Sequence, residues 1–130
     1  MNVQDDVRTR VVVIDDDDNV RAALVTLLDL HESFHVVADA ADGAYAPSLV
    51  GRFHPELVLI DVRMPIVGGI DALELIRQVD RDVRVVMLSA YNDDALVADA
   101  LDAGAVAYLV KGCSADDLFA TLERVTGTEE

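Results

Sequence analysis

The chain is predicted to be an α/β protein: a doubly wound, five-stranded parallel sheet in the order 2-1-3-4-5, with helices on both faces. Three observations predict it. Short apolar runs alternate with helix-like stretches five times, the pattern of parallel strands joined by crossover helices. Two of the runs, residues 11–14 and 57–60, are apolar without interruption, as in strands covered on both faces. Four of the five runs end in a polar, reactive group, and the carboxyl ends of a parallel sheet all lie along one edge.

Each element has its own reason. Residues 1–8 are polar and aperiodic and read as a loose N-terminal arm. The first strand, 11–14, runs into Asp15-Asp16-Asp17-Asp18-Asn19, where Asp18 or Asn19 can cap a helix whose start favours negative charge. Val20, Ala23, Leu24, Leu27 and Leu28 then recur at helical spacing. Residues 34–38 form a short strand with polar flanks, expected at the sheet edge. A turn at Asp42-Gly43 leads into a short helix over 44–52, kinked or late-starting because Pro47 lacks an N–H. The central strand, 57–60, presents Asp61 at its tip as an exposed carboxylate, and Pro65 keeps the residues before it out of helix. Gly68-Gly69 breaks the chain before a helix over 70–79 that buries Leu73, Ile76 and Val79. The fourth strand, 83–88, ends in Ser89-Ala90. Asn92 is expected to cap a helix from Asp93 to about residue 103, stopped by Gly104. The fifth strand, 106–110, ends in Lys111. Ser114 caps the last helix, 115–125, and residues 127–130 form a tail or the start of a linker.

Composition bounds the function. At 130 residues with 52% apolar content, the chain makes one domain, residues 9–126, with a real core. A formal charge of −15, from 25 acidic against 10 basic residues, disfavours nucleic acid and anionic membrane surfaces. The single cysteine, Cys113, excludes an internal disulfide and fits a reducing compartment. With no leader and no apolar run near ~20 residues, a cytoplasmic location is expected. Nine of the basic residues are arginine, so Lys111 stands alone as lysine.

The strand tips carry the chemistry. Asp15, Asp16, Asp61, Ser89 and Lys111 span nearly the whole chain but are predicted to converge. Three carboxylates in one place repel one another, which a divalent cation and the lysine can relieve. A hard, oxygen-seeking ion such as Mg2+ suits such a donor set. Cation, ammonium and hydroxyl together attract a tetrahedral anion, the equipment of phosphoryl transfer, in which a carboxylate can become an aspartyl phosphate. Asp17, Asp18 and Asn19 read as helix-start charge. His31, His35 and His54 lack ligand spacing, and Cys113 reads as free and structural.

These residues make the chain resemble the receiver domains of bacterial two-component response regulators. The resemblance covers residues 9–125 and rests on VVVIDDDDNVR, LVLIDVRMP followed by Gly68-Gly69, VVMLSAY and GAVAYLVK, in that order. It implies the flavodoxin-like strand order and a phosphoacceptor domain rather than an enzyme, able to catalyse its own phosphorylation from small donors and its own dephosphorylation. Asp61 matches the phosphoacceptor, Asp16 the direct metal ligand and Asp15 its water-mediated helper, with Arg63 giving its backbone carbonyl. Ser89 matches the switch hydroxyl, Lys111 its ion-pairing lysine, and Tyr108 the aromatic that turns inward, although a half-buried strand tyrosine packed at the sheet edge competes. Arg63 and Tyr91 match positions that tune the lifetime of the phosphorylated state. The implied partner is a sensor histidine kinase, and the implied cofactor Mg2+.

Two departures matter. Gly112 stands where the family commonly has a proline, which with LSAY and GAVAYLVKG looks closer to the NarL/FixJ-type subgroup, usually joined to a helix-turn-helix output domain. The fourth and fifth helices lack the basic partners for interlocked salt bridges, so a homodimer through that face is expected to be mainly apolar. Two other functions compete. A haloacid-dehalogenase-like phosphatase shares the strand-tip Asp, Ser and Lys, but its late acidic pair is missing. A phosphate-independent interaction module would not need the intact acceptor, acid pair, hydroxyl and lysine.

Overall fold

The computed structural model describes residues 8–90 and 93–127. Its elements run β1 (Thr9–Ile14), α1 (Asp18–Leu30), β2 (Phe34–Ala40), a 3-10 turn (Gly43–Tyr45), α2 (Ala46–Phe53), β3 (Leu57–Asp61), α3 (Gly69–Val79), β4 (Arg84–Ser89), α4 (Asp94–Asp102), β5 (Ala107–Val110) and α5 (Ala115–Thr126). Every strand pairing is parallel, and the order is β2-β1-β3-β4-β5, as predicted.

The period-two alternation of the strands divides the core into two layers. Val12, Ile14, Val58, Ile60, Val85 and Met87 face the helices α2, α3 and α4, meeting Val50, Leu73, Ile76 and Ala100. Val11, Val13, Leu57, Leu59, Val86 and Leu88 face the other way, onto Leu28 of α1 and Leu118 and Leu122 of α5. Both faces of β1 and β3 are therefore dry, which is why their sequences are unbroken apolar runs. Each fully buried aliphatic side chain contributes about 1.5–3 kcal/mol relative to exposure.

Several local expectations need correction. Asp17, not Asp18 or Asn19, caps α1: its carboxylate accepts from the N–H groups of Asn19 and Val20. Asp93 likewise caps α4, accepting from Ala95 and Leu96, so that helix begins at Asp94; Asn92, expected as the cap, lies outside the described residues. In a run of adjacent Asp and Asn residues the composition cannot say which one holds the extended backbone a cap needs. Val79 is 50% exposed, because α3 ends there; the buried residues of the helix are Gly69, Ala72, Leu73 and Ile76. The late start at Pro47 is present: the 3-10 turn, capped by Asp42, absorbs the first residues, and Pro47 falls in the first turn of α2, where no N–H is missed. Ser114 caps α5 as expected.

Candidate functional site

Asp15 and Asp61 leave the ends of two neighbouring central strands, since Ile14 pairs with Ile60 across β1 and β3. Lys111 follows β5, two strands from β3, and its backbone is fixed by donating its N–H to the Ser89 carbonyl at 2.7 Å. Its side chain is long enough to cross the end of β4. The ammonium lies 2.9 Å from Oδ2 of both Asp15 and Asp61. It donates a hydrogen bond to Asp61. Its approach to Asp15 is off the hydrogen-bond direction, so that buried oxygen is balanced by charge without a hydrogen bond.

Every other polar atom of Asp15 is held. Its N–H donates to the Ala40 carbonyl at 3.1 Å, its Oδ1 accepts from the Asp17 N–H at 2.9 Å, and its carbonyl accepts from Arg21 Nη1 at 2.7 Å. Asp61 accepts the Arg63 N–H on Oδ1 at 3.1 Å. Contrary to expectation, Asp61 is not exposed: it is 4% accessible. The cover comes from Lys111 on one side and the tight β3–α3 connection on the other. Gly69, the first residue of α3, packs so closely that a Cβ there would sit 2.5 Å from the Asp61 carbonyl oxygen. Glycine is what lets the helix approach the strand tip.

Burial pushes the Asp61 carboxyl pKa up, aided by the nearby charge of Asp15, while Lys111 and the Arg63 N–H pull it down without cancelling the rise. For Lys111, burial works to lower the pKa, but the two carboxylates outweigh it and hold the ammonium above its ordinary value. The acid thus resists its charge and the base keeps its own.

Asp16 is exposed at the rim, and Asp15, Asp16 and Asp61 each offer an oxygen within 4.8 Å of the other two. An all-oxygen set of carboxylates, one of them carrying a buried oxygen without a hydrogen bond, fits a hard divalent cation such as Mg2+. Ser89 is fully buried at the β4 tip; Tyr108 is half-buried on β5 against the core layer of α3 and α4. Arg63 is an exposed residue. Tyr91 lies outside the described residues. Gly112 has φ 88°, a conformation proline cannot take, which accounts for the departure noted at that position. Cys113 is a free thiol packed against the core layer of α1 and α5, and burial raises its pKa.

Sequence reasoning missed Arg21. Its spacing from Asp18 was readable as an i,i+3 pair, but its contacts to the Asp15 carbonyl and to Asp39 of β2 are visible only in three dimensions.

A parallel sheet of this order, with acids and a lysine gathered where the strand order reverses, defines a class of α/β domains that carry their site at the switch point. Within that class, residues 11–123 match the family model described as the response regulator receiver domain, and the chain belongs to that family. It is 39% identical over 109 residues to the transcriptional regulatory protein LnrK of Bacillus subtilis, covering 84% of this chain and 50% of LnrK. The chain thus spans about half the length of that relative. Among solved structures it is similar to the receiver domain of the putative response regulator NarL from Mycobacterium tuberculosis, with TM-score 0.87, 32% identity, and coverage of 94% of this chain and 98% of that one. It is also similar to a chain in the CheX–CheY–BeF3–Mg2+ complex from Borrelia burgdorferi, with TM-score 0.86, 28% identity, and coverage of 96% and 94%. The family is one of two-component signalling domains rather than classical enzymes, and relatives include transcriptional regulators. Among the described residues no helix is long and apolar enough to cross a membrane.

Proposed function

We propose that the chain is a phosphoacceptor switch, in which Asp61 accepts a phosphoryl group from the phosphohistidine of a sensor histidine kinase. The observation that carries this reading is the Lys111 ammonium set 2.9 Å from both Asp15 and Asp61 in a chain of the receiver family. Asp16 directly, Asp15 through water, Asp61 and the Arg63 carbonyl would hold Mg2+, which when bound neutralises the carboxylates and the phosphoryl oxygens. The Asp61 carboxylate forms the new O–P bond as the donor's N–P bond breaks. Lys111 pairs with the incoming phosphoryl oxygens, and Ser89 turns its hydroxyl toward them. That movement draws in the β4–α4 connection and lets Tyr108 reorient. A few kcal/mol between two conformations suffices for such a population shift. The altered face around α4 and β5 then recruits or releases a partner. Arg63 and Tyr91 set how fast water regains the acceptor.

Residues 9–126 form the switch in this reading, which would control a helix-turn-helix output domain. The domain itself binds no nucleic acid and works in the cytoplasm. Homodimerisation would use the apolar Leu101 and Val106, 46% and 44% exposed.

The test is intact mass after incubation with Mg2+ and acetyl phosphate, beside Asp61→Asn. One phosphoryl adduct, prevented by EDTA and absent from the variant, is expected. No adduct would overturn the proposal in favour of a phosphate-independent module. Rapid donor hydrolysis without adduct would favour the phosphatase.

A further inference from the structure

Arg21 reaches three separate parts of the fold with one side chain. Nη1 donates to the Asp15 carbonyl at 2.7 Å, Nη2 to Asp18 Oδ1 at 2.6 Å, and Nε lies 3.3 Å from Asp39 Oδ1 on β2. The Arg21 side chain is only 18% exposed, but Asp18 and Asp39 are 83% and 45% exposed. The contact sheltered from solvent is thus the one to the Asp15 carbonyl, while the two ion pairs are surface pairs of modest strength. The carbonyl it holds belongs to the peptide unit that joins Asp15 to Asp16. Because that unit is planar, fixing its oxygen fixes the direction in which the chain enters Asp16. Asp39 braces the guanidinium from the edge strand, so the turn bearing both acids is anchored to β2 and not only to its own helix.

We propose that Arg21 is a positioning residue for the acidic pair, holding the Asp15–Asp16 peptide in the orientation that aims Asp16 at the cation site. The inference rests on the metal-binding reading above. A planar guanidinium fork can serve three acceptors at once, whereas a lysine ammonium at the same place cannot span them.

Charge alone predicts the opposite effect. Arg21 is a cation beside an acidic cluster, and removing it should tighten the binding of another cation. Positioning predicts weaker binding, so the sign decides.

The experiment is calorimetric titration of Mg2+ into the intact chain, wild type beside Arg21→Gln and Arg21→Lys, well below each protein's own Tm. Both variants are expected to bind Mg2+ about three- to tenfold more weakly, at or below the lower end of losses for outer-shell partners of metal ligands. A purely structural role would lower Tm and leave the dissociation constant of the folded protein alone. Binding by either variant as tight as wild type, or tighter, would overturn the proposal; Arg21→Lys serves alone if Arg21→Gln does not fold. Absence of Mg2+ binding by wild type would overturn the metal reading itself, and this role with it.

Discussion

Asp61 carries its charge against its surroundings. Its folded pKa is raised, chiefly by burial, so between its unfolded value and that raised value the native state holds a proton the unfolded chain has lost. Stability therefore falls as pH rises through that window, and at neutral pH the ionised carboxylate is a cost. Asp61→Asn, which removes the buried charge, should raise Tm at pH 7; in a domain of this size about 3–5 °C accompanies each ~1 kcal/mol. The gap should close as pH is lowered through the window, and scanning calorimetry at several pH values measures it; a variant no more stable than wild type at pH 7 would contradict this account. Lys111 behaves oppositely, its contribution being complete below 10.5 and lost as pH rises through its raised folded value. The identities of Asp15, Asp61 and Lys111 were legible because each ends an apolar run. The burial of Asp61 was not, since its cover comes from a lysine fifty residues away and a helix admitted by Gly69.

Between β3 and α3 the chain makes its least comfortable turn. Val67 donates its N–H to the Pro65 carbonyl at 2.8 Å, closing a three-residue turn around Ile66 at φ 70°. A β-branched residue there is strained, and Ile66 is 92% exposed, so no packing offsets the cost. Ile66→Gly is expected to stabilise the fold by about 1 kcal/mol, because glycine has no Cβ to clash at positive φ. Urea unfolding would show an unchanged slope and a higher midpoint; a lower midpoint would mean the isoleucine makes a contact worth more than its strain. Nothing in Met64-Pro65-Ile66-Val67 announces a positive φ, which a glycine or asparagine would have. Element types were legible from periodicity, whereas caps and ends were blurred wherever several suitable residues adjoin, as at Asp17-Asp18-Asn19.

At the scale of the whole molecule, a charge of −15 works against compactness. Raising NaCl from about 10 mM to about 200 mM shrinks the screening length from ~30 Å to under ~10 Å and should raise Tm by a few degrees. A fall in Tm would mean that native ion pairs outweigh the general repulsion. The architecture was the most legible feature of all, because two dry faces per central strand leave an unmistakable apolar signature in residues 11–14 and 57–60. The same architecture has a consequence for how the protein comes into being. The acids enter with the first and third strands, and their only lysine with the fifth, so Asp15 and Asp61 have no bridging counter-charge until β5 is laid beside β4. A chain still emerging from synthesis, or one clipped before Lys111, would hold the carboxylates without the group that balances them. The site is thus incomplete wherever the fifth strand is missing, and a fragment lacking it would carry both acids but not the switch's counter-charge.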